Sequence, residues 1–199
     1  MTQPMAADDG DGSDESLMLA YGLGDPLAFD RLYARHRGPV FRYLLRHLGE
    51  RAVAEELHQE VWLRVVRGRS TYEASAKFTT WLYTVARSRL VDHWRASRHA
   101  RLLSLDVDDS ETPLEPVSDR DQTGHDDPLE AAVRTQTGMR LQDALAALPP
   151  AQRDAFLLHI EAGLAIAEIA ALAGVGEETV KSRLRYAYAR LRRTLGVAT

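Results

Sequence analysis

The stretch "AIAEIAALAGVGEETVKSRLRYAYARLRR", Ala165 to Arg193, decides how this chain folds. Apolar residues recur at spacings of three and four on both sides of Gly174, which predicts two helices joined by a short glycine-containing turn. That is the plan of a helix-turn-helix. Ile166, Ile169 and Ala170 pack the first helix. On the second, with Val180 at zero and about 100° per residue, Leu184, Ala187, Leu191 and Leu195 fall within about 60° and form one apolar stripe. Lys181, Ser182, Arg185 and Arg192 fall roughly 100° to 200° away. The side turned from the core is therefore the side that carries donors.

Lys181, Arg183, Arg185, Arg190, Arg192 and Arg193 follow one another with no acid between them. Such a row suits a phosphate backbone, and Ser182 and Arg185 stand near enough to read base edges. Glu177 and Glu178 oppose phosphate, yet as first-turn residues they suit the helix dipole. A solvated basic helix on an ordinary bundle is the plainer alternative. Turn, apolar register and basic face all agree, and that agreement favours DNA binding.

Working outward, the segment from Met139 is again helical in period, broken at Pro149-Pro150 and Gly163. Before it, Ser104–Glu130 carries ten acids, a single arginine and three prolines, with few large apolar side chains. It cannot bury enough surface to offset the entropy of ordering, so a flexible acidic linker is expected. Residues 1–16, with five acids and no Lys or Arg, read as a disordered tail by the same logic.

Between tail and linker, residues 17–103 carry fifteen basic and eight acidic residues, and residues 131–199 carry nine and six. The net charge of −4 thus hides two basic bodies joined by an acidic strap. Leu27, Phe29, Leu32, Tyr33, then Val40, Phe41, Leu44, Leu45, Leu48, then Leu57, Val61, Trp62, Val65 recur at helical spacing, with breaks expected near Gly38-Pro39, Gly49 and Gly68–Ala76. The expected fold is all-α: two small helical domains, 17–103 and 131–199, joined by the linker 104–130.

In "KFTTWLYTVARSRLVDHWRASRH", Lys77 to His99, two tryptophans, a tyrosine and a phenylalanine stand among five basic residues. With Phe78 at zero, Trp81, Leu82, Tyr83, Val85, Ala86, Leu90 and Trp94 span an arc from about 300° to 160°, and Thr80, Thr84, Arg87, Arg95 and Arg98 lie at roughly 180° to 260°. Most aromatics belong to the core, and the threonines and arginines form the opposite, polar face, either a wet edge or a surface that holds nucleic acid.

Other classes of function find little support. With no cysteine, disulfides, thiolate metal sites and cysteine nucleophiles are excluded. "HQEVW" lacks the second histidine of a zinc-protease helix, and "DDGDGSDES" does not place glycine and glutamate as a calcium loop requires. No metal and no cofactor are called for, and no catalytic constellation is present. The N-terminus has neither a basic nor an apolar leader region, and no stretch approaches the roughly 20 apolar residues that span a bilayer, so a cytoplasmic location without membrane insertion is expected.

"AEELHQEVWLRVVRG", then "KFTTWLYTVARSRLVDHWRASRH", then "ALPPAQRDAFLLHIEAGLAIAEIAALAGVGEETVKSRLRYAYARLRR", in this order, closely resemble the extracytoplasmic-function sigma factors of bacterial RNA polymerase. The resemblance implies a non-enzymatic specificity subunit that binds both large subunits of core polymerase and directs it to promoter DNA, in a stress or envelope response. Residues 17–103 would be sigma region two, binding the polymerase clamp and the minus-ten element. Residues 131–199 would be region four, binding the flap and the minus-thirty-five element. Glu56, Gln59 and Glu60 match the clamp-facing "DxxQE" positions, with glutamate where aspartate is commoner. The loop "RGRSTYEASA" matches the pocket for a flipped non-template base, which gives Arg69, Ser70, Tyr72 and Lys77 as contacts, joined by Thr80, Thr84, Arg87, Arg95 and Arg98 for the minus-ten strand. For the minus-thirty-five element the residues are Thr179, Lys181, Ser182, Arg183, Arg185 and Tyr186. The family's linker threads the polymerase cleft, where acidic residues meet a positive channel. An anti-sigma factor is a further implied partner. "KFTTW" resembles the housekeeping "KFSTY", whose duplex-opening tryptophan pair falls here at Thr84 and Val85. Neither residue wedges a base pair as tryptophan does, so narrow tolerance of minus-ten variants is expected. The competing reading is a stand-alone helix-turn-helix regulator with residues 17–103 as a sensor or dimerisation domain.

Overall fold

A computed structural model describes residues 12–103 and 138–196; of residues 98–103 it describes the helical backbone alone. Linker residues 104–130 and tail residues 1–11 lie outside the described residues. Every regular element among the described residues is an α-helix, and none is long and apolar enough to cross a membrane.

The first body holds four helices: α1 (Asp14–Gly22), α2 (Pro26–Leu48), α3 (Arg51–Gly68) and α4 (Phe78–Leu103). The acidic tail was expected to run to residue 16, but α1 begins at Asp14. The Ser13 hydroxyl accepts from the Ser16 N–H, and the first-turn acids Asp14 and Glu15 favour the positive helix end. Both also reach across the fold: Asp14 pairs with Arg35 and His36, and Glu15 accepts from the Phe78 N–H at 2.7 Å. Glycine is required at Gly22, because an added Cβ would come within 2.7 Å of the Arg69 carbonyl oxygen.

Asp25 caps α2 and Pro26 opens it. The break expected at Gly38-Pro39 is absent, for α2 runs through both residues. An internal proline costs about 3 kcal/mol. Leu32, Val40, Tyr43 and Leu44, fully buried on either side of it, repay that through packing. They meet Ala54, Leu57, Val61, Trp62 and Val65 of α3 and Phe78, Leu82, Tyr83, Ala86 and Leu90 of α4. Two expected core residues lie elsewhere. Leu27, in the first turn of α2, is exposed. Trp94, one turn beyond Leu90, reaches the end of α2, where its ring lies 5.7 Å from that of His47, and is 40% exposed.

The second body holds α5 (138–146), α6 (Pro150–Ile160), α7 (Ile166–Ala173) and α8 (Glu177–Leu195). Pro150 occupies a first-turn position of α6, where its missing N–H costs nothing. Phe156 and Leu157 of α6, Ile169 and Ala170 of α7, and Val180, Leu184, Ala187 and Leu191 of α8 form its core. The Phe156 and Tyr188 rings meet edge to face at 5.2 Å. The bodies are in contact, with α6 against α2 and α7 against α4.

Candidate nucleic-acid interface

The helix-turn-helix consists of α7 and α8. Gly174 closes α7 at φ 66°, a left-handed backbone that other residues adopt only with strain, and its N–H returns to the carbonyls of Ala170 and Ala171. The expected register of α8 holds from Val180 to Leu191, all four stripe residues being buried, while Leu195 in the last turn is exposed. Thr179, Lys181, Arg185 and Tyr186 are exposed, and Ser182 and Arg183 half-buried. The Arg185 guanidinium lies 5.1 Å from the Tyr186 ring centre, and Tyr186 is itself 54% exposed. That contact limits the rotamers of both side chains without removing either from solvent. Lys181 Nζ pairs with Glu178 Oε1 at 2.6 Å, and this hydrogen bond raises the lysine pKa. An exposed pair of this kind yields easily to another anion.

The minus-ten candidates have a different environment. Arg69 follows the end of α3, donates to the Val66 carbonyl at 3.2 Å and covers the Tyr21 ring at 5.5 Å; Ser70 is exposed. Tyr72, expected as a contact in an open loop, is 9% exposed, its ring 5.3 Å from Trp81 and 6.2 Å from Phe78. Burial raises its pKa, and its hydroxyl has no hydrogen-bond partner among the described residues. Tyr72 therefore forms the floor of the loop, because its ring gains more by packing edge to face on Phe78 and Trp81 than it gains in water. The Arg98 side chain lies outside the described ones.

Along α4 the polar residues face the second body. Thr80 Oγ1 donates to Glu168 Oε1 at 3.2 Å, and Lys77 Nζ meets the same oxygen at 3.2 Å. Glu168 Oε2 also accepts from the Ala165 N–H at 2.8 Å, the main reason its pKa is lowered. Arg87 Nε donates to Asp154 Oδ2 at 2.9 Å, while Tyr43 donates to Asp154 Oδ1 at 2.9 Å. Burial alone would raise the Asp154 pKa, but His47 and Arg87 together hold it at about 2. The same contact, added to complete burial, drives the Tyr43 hydroxyl pKa well up. Thr84 is exposed and donates to the Thr80 carbonyl at 2.8 Å. With Arg87, Ser88, Val91, Asp92 and Arg95 it lines an open groove of about 230 Å³, closed on its far side by Leu172 of α7.

Two further arginines, Arg42 and Arg46 of α2, escape reading from the sequence. Arg42 Nε donates to Glu161 Oε2 at 2.9 Å, and Arg46 Nη1 donates to Glu161 Oε1. Their partner lies 115 to 119 residues away, beyond any local pattern. On α3, Glu56, Gln59 and Glu60 are exposed together, and Leu63 continues that row at 51% exposure, an apolar residue that the polar pattern does not predict. No group of acidic or histidine side chains with metal-binding geometry occurs among the described residues.

Two family models match the chain: Sigma-70 region 2 over residues 32–100 and Sigma-70, region 4 over residues 138–191. RNA polymerase sigma factor CarQ of Myxococcus xanthus is 33% identical over 169 residues, covering 85% of this chain and 90% of CarQ. ECF RNA polymerase sigma factor SigM of Mycobacterium tuberculosis is 32% identical over 186 residues, covering 92% and 85%. ECF RNA polymerase sigma factor BldN of Streptomyces coelicolor is 31% identical over 160 residues, but the match spans 57% of its length. Among solved structures, the sigma factor RpoE with the anti-sigma factor NepR from Bartonella quintana aligns with a TM-score of 0.67 at 22% identity, covering 86% of this chain and 98% of that one. CnrH with the cytosolic domain of CnrY aligns at 0.63 and 21%, covering 94% and 100%. At these identities the structural likeness concerns the fold.

Proposed function

The chain belongs to the extracytoplasmic-function sigma factors of RNA polymerase, and from that premise we propose how its surfaces divide the work of directing transcription initiation in the cytoplasm. The exposed α3 row of Glu56, Gln59 and Glu60 binds the clamp of core polymerase. The α8 face of Thr179, Lys181, Ser182, Arg183, Arg185 and Tyr186 enters the major groove of the minus-thirty-five element, and the second body binds the flap. Arg69, Ser70, Lys77, Thr80, Thr84, Arg87 and Arg95 hold the minus-ten strand, with Tyr72 supporting the loop from beneath. The protein contributes binding and no bond-making. An anti-sigma factor controls it, in a stress or envelope response.

The observation that carries this reading is the split of α8 into a buried apolar stripe and an exposed basic side. A helix so divided is held rigidly on one side and offers guanidinium and ammonium groups on the other, as major-groove readout requires. Thr84 and half-buried Val85 supply no wedge for duplex opening. Melting then depends on strand capture after transient opening, which stacking and phosphate contacts supply.

The test is transcription from defined promoters by core polymerase with the purified protein, run beside binding to the same duplexes without polymerase. Initiation that requires both components is expected, with sharp loss of activity on minus-ten substitution. Tight binding to a palindromic duplex, without polymerase binding or initiation, would establish the stand-alone regulator instead.

A further inference from the structure

Three carboxylates of the second body meet the cationic side of the first. Asp154 takes Arg87 and the Tyr43 hydroxyl, each at 2.9 Å. Glu161 takes Arg42 at 2.9 Å and Arg46. Glu168 takes Lys77 and Thr80, each at 3.2 Å. Three of these partners, Lys77, Thr80 and Arg87, are residues assigned above to the minus-ten strand. Leu172 closes the groove that holds Thr84 and Arg95.

We propose that the second body is a built-in competitor for the promoter strand: Asp154, Glu161 and Glu168 occupy the positions that strand phosphates take, and Arg42 and Arg46 of α2 belong to the strand-binding surface they cover. Carboxylate and phosphate oxygens offer guanidinium and ammonium groups the same acceptor chemistry, so the two anions are mutually exclusive at one cation. The seam has the character of a contact meant to open. Its ion pairs are polar, as are the hydroxyls of Tyr43, on Asp154, and of Tyr83, which donates to the Glu161 carbonyl at 3.3 Å, as in transient interdomain interfaces. The Arg42 side chain keeps 41% of its exposure and Lys77 keeps 66%, so each can exchange one anion for another without first leaving a core. The Glu161 side chain, at 5% exposure, is the most desolvated of the three acids and gains most from returning to water when a phosphate replaces it. Strand affinity of the free protein is then multiplied by the fraction of time that the seam is open, and so lowered. The proposal rests on the sigma-factor reading for the identity of the polyanion, but its test needs no polymerase.

The chain has no cysteine, so cysteines placed at the exposed positions Ala52 and Ala189 take a donor and an acceptor dye without competition. Titrating the doubly labelled protein with a single-stranded DNA of about 15 nucleotides should lower energy transfer in step with binding. Asp154→Asn/Glu161→Gln/Glu168→Gln should start with low transfer and bind the strand about tenfold more tightly, and adding Arg42→Gln/Arg46→Gln should remove most of that gain. Strand binding to the unmutated acids with no loss of transfer overturns the proposal, and this arm holds even if the triple variant fails to fold. A triple variant that opens yet binds no tighter also overturns it. Promoter-specific initiation with core polymerase, measured separately, reports on the sigma-factor reading alone.

Discussion

The two basic faces of this molecule were built by the same rule and met different fates. On α8 and on α4, apolar residues at i and i+4 turn inward and leave a row of threonines, arginines and lysines outside. On α8 that row stays in water, with Lys181 paired to Glu178 three residues away. On α4 the row is claimed by acids 67 to 91 positions along the chain, Asp154 for Arg87 and Glu168 for Lys77. A helical wheel reports which side chains leave their own core. Whether they then reach solvent depends on what else the fold brings to that side.

The largest effect is expected at the stripe that keeps α8 in place. Leu184→Ala should destabilise the second body by about 2–5 kcal/mol, read as a lowered urea midpoint. Arg185→Ala, one residue on, should leave stability within about 0.5 kcal/mol and cost about 1–3 kcal/mol in binding the minus-thirty-five duplex. Equal promoter loss with unchanged stability in both variants would mean that the α8 face is not divided as described.

Acid acts on the occupied face of α4. The Asp154 carboxyl has its pKa lowered from 3.8 to about 2 in the folded protein. A depressed carboxylate contributes stability that is present in full above its unfolded value and lost as pH falls from about 4 towards 2. The shift corresponds to at most about 2–3 kcal/mol. The parent protein should therefore lose more stability over that window than Asp154→Asn, measured by denaturant midpoints at matched pH. Superimposable acid profiles would show that the contact with Arg87 and His47 contributes nothing.

The smallest effect is expected at Tyr72. Its buried hydroxyl lacks a partner among the described residues, so Tyr72→Phe should raise stability by up to about 1 kcal/mol and leave strand binding unchanged. A fall in single-strand affinity without a fall in stability would return Tyr72 from the floor of the loop to its contact surface.

Much of the architecture was legible from residue order. Helical spacing in Leu57, Val61, Trp62 and Val65, the stripe from Val180 to Leu191 and the turn at Gly174 are local patterns, and all are buried or bent as read. Where reading failed, a distant contact outweighed a local preference. Pro39 marks a break by its own chemistry, yet flanking core residues carry α2 through it. Tyr72 sits in a polar loop, yet Phe78 and Trp81 draw it inward. Arg42 and Arg46 look like ordinary exposed positions on α2 until Glu161 meets them.

By itself the sequence determined that the chain is all helical, that it has two basic bodies and that α8 presents donors on the side away from its core, because periodicity, turns and charge order are properties of neighbouring residues. Only the tertiary structure decided which basic face is open and which is occupied. Ion pairs between residues 67 to 119 positions apart exist through the docking of α6 and α7 on α2 and α4, and no local pattern encodes that docking.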